Sequence, residues 1–185
     1  NGPLTKASGA SVQMNKPPIG EAAGKKAQVE AMFDDIAPRY DLLNRVLSLG
    51  IDHVWRSKAV QMLQDDRPQR VLDVATGTGD FAIQAHELNP DKVIGIDISE
   101  GMLEIGKKKI RAKNLSEKVE LYSGDSENMQ FPENKFDAVT VGFGVRNFEN
   151  LEKGLQEIYR VMRPGGMLVI LEFSRPRKFP FRQIY

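Results

Sequence analysis

The sequence predicts an α/β fold, a doubly wound and mostly parallel sheet with helices on both faces, preceded by a set of N-terminal helices. Three observations carry this expectation. From Gln28 to about residue 66 the chain has helical periodicity; at Arg70 it switches to short apolar runs that alternate with helical segments; and a glycine-rich turn, Ala75-Thr76-Gly77-Thr78-Gly79-Asp80, joins the first of those runs to a helix. Parallel neighbours need right-handed crossovers, which the intervening helices supply.

In chain order, residues 1–27 are expected to form a flexible tail, since the first 24 are rich in Gly, Pro, Ala and Ser and lack the apolar core of a secretory signal. Residues 28–66 carry the N-terminal helices. Val29, Met32, Phe33 and Ile36 recur at three- and four-residue spacing until Pro38, which is expected to interrupt the helix. A second helix then uses Tyr40, Leu42, Leu43, Val46 and Leu47 and ends at Gly50, and a third shows Val54, Trp55, Ala59, Met62 and Leu63. Residues 67–185 form the core. Its strands are Val71–Ala75, Lys92–Asp97, Val119–Tyr122, Phe136–Val141 and Met167–Phe173. Helices fill the gaps: Phe81 to Leu88, one capped by Ser99, and one with the stripe Leu151, Leu155, Ile158, Tyr159 and Met162 closed by Arg163-Pro164-Gly165-Gly166.

A chain of 185 residues with 41% hydrophobic and 28% charged residues has the proportions of one ordinary globular domain. Its net charge of +1 gives no field that would draw it to nucleic acid. The cluster Lys107-Lys108-Lys109-Ile110-Arg111 reads as a solvated helix face. Cysteine is absent, which removes disulfides and thiolate chemistry and fits a cytoplasmic protein. Neither histidine has a partner at zinc spacing, so no metal is expected.

In an open parallel sheet the ligand crevice lies beyond the carboxyl ends of the strands, where strand order reverses. Gly77 and Gly79 let backbone approach a ligand, and the helix after them offers unpaired amides. Asp73, inside the first strand, is placed to meet the ammonium of an amino-acid-bearing cofactor directly or through water; bracing the sheet is the alternative. Asp97, about 20 residues past Gly77, is suited to the hydroxyls of a ribose. Asp125 and the Ser126 amide follow the third strand, where an adenine would be read. Acids at successive strand ends suit a cofactor without phosphates, S-adenosylmethionine rather than NAD. After the fourth strand, Gly142-Phe143-Gly144-Val145-Arg146-Asn147 brings polar groups to the crevice mouth.

These residues resemble the ubiquinone and menaquinone biosynthesis C-methyltransferases, a family of class I S-adenosylmethionine-dependent enzymes with a Rossmann-like core. The resemblance runs from about Val29 to the C-terminus. It rests on the stretch from Tyr40 to Trp55, on Phe143-Gly144-Val145-Arg146-Asn147, and on the stretch from Arg160 to Ser174. Leu43 stands where the family usually has Met, Arg163 where it has Lys, and Gly142 where it often has Ser.

The resemblance implies methyl transfer to a ring carbon of a polyprenylated quinol, demethylmenaquinol to menaquinol or the benzoquinol equivalent. It implies that Thr78, Asp97, Asp125 and Ser126 contact the cofactor. His53 and Arg146 are candidate groups for managing the quinol proton, and Tyr40, with Asp41 and Asn44, for a polar wall of the pocket. Packed helix residue and surface ion pair are the plainer roles of His53 and Arg146. A relative would continue past Tyr185 with two strands and a substrate-covering region, so the C-terminal part is expected to be absent here. Contact with a membrane surface and a homodimer are further expectations. The rival functions are methylation of another small molecule and NAD-dependent oxidoreduction.

Overall fold

The computed structural model describes residues 24–48 and 51–172. Gly50, Phe173 and most of the expected tail lie outside the described residues. Helices α1 (Lys25–Leu47) and α2 (Ile51–Gln61) precede the alternating part of the chain. That part runs β1 (Arg70–Val74), α3 (Asp80–Ala85), β2 (Lys92–Asp97), α4 (Glu100–Ala112), β3 (Val119–Ser123), β4 (Phe136–Gly142), α5 (Leu151–Val161) and β5 (Met162–Leu171). All described pairings are parallel, in the order β3-β2-β1-β4-β5. The chain winds outward through β2 and β3, then crosses back to lay β4 against the other side of β1, so the crevice of this sheet opens between the ends of β1 and β4.

The inner strands are mostly apolar because both faces are covered. Val71, Val93 and Val119 pack with Phe81, Leu103 and Val60 on one side, and Leu72, Val74, Val139 and Val141 pack with Ile158 and Val161 on the other. Asp137, nearly buried in β4, holds the entry to β1: one carboxylate oxygen accepts the amides of Gln69 and Arg70, both at 2.7 Å. Its other oxygen lies 3.2 Å from Arg163 Nε. The arginine that departs from the family's usual lysine thus binds a buried carboxylate.

Three expectations about elements are corrected. Pro38 does not break the first helix, which runs unbroken from Lys25 to Leu47 and begins inside the expected tail. An interior proline costs about 3 kcal/mol; here tertiary contacts offset it, because Asp34 Oδ1 accepts both Ser99 Oγ at 2.6 Å and the Gly101 amide at 3.0 Å, tying α1 to the start of α4. The helix after the glycine turn is α-helical only to Ala85 and closes with a 3-10 turn, His86–Leu88, stopped by left-handed Asn89. Met162 leaves the α5 stripe to pair with Phe136, and the sheet register is regained at Met167 after an irregularity spanning the Arg-Pro-Gly-Gly segment. Ser99 caps α4 as expected, accepting the Met102 amide. No described helix is long and apolar enough to cross a membrane.

Candidate active site

The chain leaves β1 through a turn that L residues enter with strain. Ala75, Gly77 and Gly79 all have positive φ, at 54°, 56° and 77°. At Gly77 a Cβ would meet nothing within 4 Å, so the residue is set by its backbone conformation and leaves the turn open to a ligand. The Gly77 amide donates to Asp97 Oδ2 at 2.8 Å, and the Ser99 amide donates to Asp97 Oδ1 at 3.0 Å, so the end of β2 is locked to the turn after β1. Burial raises the Asp97 carboxyl, against the pull of the amides of Ser99, Gly77 and Ile98.

Beyond these strand ends lies a cavity of about 660 Å³, open water at its mouth included. Gly77 and Asp97 form its floor, Gly124, Asp125 and Ser126 one end, and Gly142, Phe143, Gly144 and Asn147 the other. Val29, Phe33 and Tyr40 cover it from α1. Burial raises the Tyr40 phenol, only partly offset by a hydrogen bond with Asn44. Phe33 meets the Tyr40 ring edge-on at 6.0 Å, and Trp55 of α2 meets Phe143 at 6.4 Å. At Gly142 a Cβ would stand 2.8 Å from Phe81 Cδ1, a physical reason for glycine where the family often has serine.

The cavity thus gathers Tyr40, Gly77, Asp97, Asp125 and Ser126 from the residues singled out in the sequence. Gly142, Phe143, Gly144 and Asn147 of the loop after β4 join them, and the remaining candidates lie elsewhere. Asp73 is 1% exposed and stands behind the turn, accepting the hydroxyls of Thr76 and Thr140, the latter at 2.7 Å across the β1–β4 pairing. Burial pushes its carboxyl up to about 6 in spite of both hydroxyls. Thr78 is buried, donating to Asp41 Oδ1 at 2.6 Å and accepting from Lys109 Nζ at 2.9 Å. Gly79 begins α3 against Leu121. His53 borders a second, polar hollow with Asp52, Arg56, Asp80 and Lys109. Arg146 is half-exposed in a 3-10 turn, its guanidinium 3.6 Å from Glu172.

Sequence reasoning missed Lys26, which it had placed in the tail. Its ammonium reaches Asp125 Oδ2 at 2.6 Å and borders the cavity. Burial pushes the Asp125 carboxyl up, but Lys26 and the Glu127 amide outweigh it and hold the group below its ordinary value. A heptad-like spacing of Lys26, Asp34 and Asp41 was the one available signal, since residues seven or eight apart share a helix face.

The donor set fits a cationic nucleoside. The cavity is walled by the carboxylates of Asp97, Asp125, Glu127 and Glu149 against the single ammonium of Lys26 among the described residues, a lining that would repel a pyrophosphate. Fold and site together define a methyltransferase of the class that takes its methyl group from S-adenosylmethionine. The architecture matches a crystal structure described as a putative S-adenosyl-L-methionine-dependent methyltransferase of Methanococcus maripaludis, with TM-score 0.61 over 81% of this chain and 65% of that one. The identity of that pair is 20%, so the likeness concerns the fold.

Residues 21–185 match the model of the ubiE/COQ5 methyltransferase family, and the chain belongs to that family. It is 54% identical over 169 residues to a demethylmenaquinone methyltransferase of Bacteroides fragilis, covering 91% of this chain and 69% of that protein. It is 45% identical over 163 residues to the ubiquinone/menaquinone biosynthesis C-methyltransferase UbiE of Geotalea daltonii, covering 87% and 69%.

Proposed function

We propose that this chain methylates a ring carbon of a polyprenylated quinol, converting demethylmenaquinol to menaquinol. The observation that carries the reading is Asp97, fixed by two backbone amides at the cavity floor with acidic neighbours and, among the described residues, no cluster of phosphate-binding cations. The relatives named demethylmenaquinone methyltransferase, at 54% and 47% identity, support the naphthoquinol over the benzoquinol.

S-Adenosylmethionine, when bound, supplies an electrophilic methyl group. In this reading Asp97 accepts the ribose hydroxyls, while Asp125 and the Ser126 amide read the adenine. Gly77 allows backbone to close on the cofactor. The rings of Phe33, Tyr40 and Phe143 exclude water and hold the quinol ring for in-line attack, and aligning reactants in this way can supply a large share of the rate. Tyr40, whose phenol is protonated at neutral pH, donates a hydrogen bond to a quinol oxygen. Asp73 acts behind the turn, holding Thr76 in place. His53 and Arg146 would have to act from outside the described cavity, through water or a shift of their elements.

The long prenyl chain would remain in lipid, so contact with the cytoplasmic membrane surface belongs to this proposal, as does a homodimer. Exposed Leu42, Ile51 and Val54 on α1 and α2 support the membrane contact. Calorimetric titration with S-adenosylmethionine and with NAD tests the cofactor, and NAD binding alone would overturn the reading. Radiolabelled methyl transfer to demethylmenaquinol tests the substrate, with methylated naphthoquinol as the expected product.

A further inference from the structure

Helix α1 crosses the carboxyl ends of the strands and gives one polar side chain to the chain leaving each of β1 to β4. Asp41 takes Thr78 after β1, Asp34 takes Ser99 and Gly101 after β2, and Lys26 takes Asp125 after β3. Lys25 Nζ donates to the carbonyls of Arg146 and Phe148 after β4, at 3.2 and 2.6 Å. Of these contacts, the one made by Lys26 falls on a residue that the proposed cofactor would itself touch.

Resting on the reading of the cavity as an S-adenosylmethionine site, we propose that Lys26 is a positioning residue for the cofactor, fixing Asp125 and holding the first turn of α1 down over the adenine.

Lys26, Val29 and Phe33 follow one helix face at three- and four-residue spacing and border the cavity together. The aliphatic stem of Lys26 extends that apolar ceiling while its ammonium stays at the rim. Asp125 is held at both oxygens: Oδ2 by Lys26, and Oδ1 by the Glu127 amide at 2.9 Å. Each oxygen keeps a lone pair for an adenine amino group. Lys26 Nζ is also 3.9 Å from Glu127 Oε2, so it balances two carboxylates that would otherwise repel each other beside the base. Glu127 cannot turn away, because its Oε1 accepts the amides of Glu149 and Asn150.

The ion pair contributes little to overall stability, since about a third of each partner is exposed. Asp34 and Asp41 continue to anchor α1 when Lys26 is changed. The energetic effect is therefore expected on ligand binding rather than on folding.

Titration of the whole chain with S-adenosylmethionine, comparing wild type, Lys26→Met and Lys26→Arg, tests this. Lys26→Met is expected to raise Kd about tenfold, and Lys26→Arg to return it to within about threefold of wild type, because methionine keeps the stem and loses the charge whereas arginine keeps both. Circular dichroism melts should superimpose for all three. The difference between wild type and Lys26→Met should shrink as salt rises, which a purely structural role would not produce. Equal Kd values for wild type and Lys26→Met would overturn the inference while leaving the site intact. So would a loss in Lys26→Met that arginine does not restore. Failure of wild type to bind S-adenosylmethionine would instead overturn the reading of the cavity itself.

Discussion

Asp97 at the end of β2 and Asp73 one residue before the end of β1 lie on neighbouring strands, and their partners separate their roles. Asp97 accepts two backbone amides and keeps an open side on the cavity, whereas Asp73 accepts two threonine hydroxyls and is sealed. Asp97→Asn exchanges one accepting oxygen for a donor and removes the charge; hydrogen bonds to charged groups contribute about 1.5–3 kcal/mol. Titration of the variant should show S-adenosylmethionine binding weakened by about tenfold to a hundredfold, and an unchanged Kd would remove Asp97 from the site. For Asp73 the ordinary value is 3.8 and the folded value is raised to about 6, so across that window the folded state holds more protons than the unfolded one. Its contribution is fully present below about pH 4 and lost as pH rises to about 6, a change on the order of 3 kcal/mol. Urea titrations at pH 4.5 and 7 should show this component in wild type and its disappearance in Asp73→Asn. The sequence marked both aspartates by spacing alone, and spacing does not say which carboxylate is enclosed.

At the scale of elements, α1 is the instructive case. Its local sequence argues for a break at Pro38, and the break is suppressed by Asp34, four residues earlier, bonding to groups 65 and 67 residues further on. Asp34→Ala should therefore loosen the N-terminal half of α1, with stability lowered by about 1–3 kcal/mol as expected when a buried donor loses its partner. Hydrogen exchange should show faster amides in residues 25–37 and unchanged protection in β1 and β4; protection equal to wild type in α1 would show that Asp34 does not hold it. Strand β2 and the Ser99 cap were legible, because an apolar run and a capping serine are local signals. The start of α1 was not, since Lys25 and Lys26 are ordered by loops more than 95 residues away.

For the molecule as a whole, stability rests on the doubly covered sheet. Leu72 is fully buried on the α5 side of β1, the strand shared by both halves. Leu72→Ala should cost about 2–5 kcal/mol, read as a lower urea midpoint with an unchanged slope, as for a cavity left in a packed core. A loss under 1 kcal/mol would mean that the sheet relaxes around the gap. By itself the sequence determined the succession of strands and helices along the chain, the parallel sheet, a crevice beyond the carboxyl ends of the strands and the aspartates near those ends, because periodicity, glycines and crossover rules act over short spans. Tertiary structure alone decided which of those side chains meet. It turned Thr78 toward Asp41 and Lys109, put His53 on a different hollow from Asp97, enclosed Asp73, and brought Lys26 from the expected tail onto Asp125. Side-chain direction at a loop depends on what packs above it, and α1, the element above, is placed by long-range hydrogen bonds that no local pattern encodes.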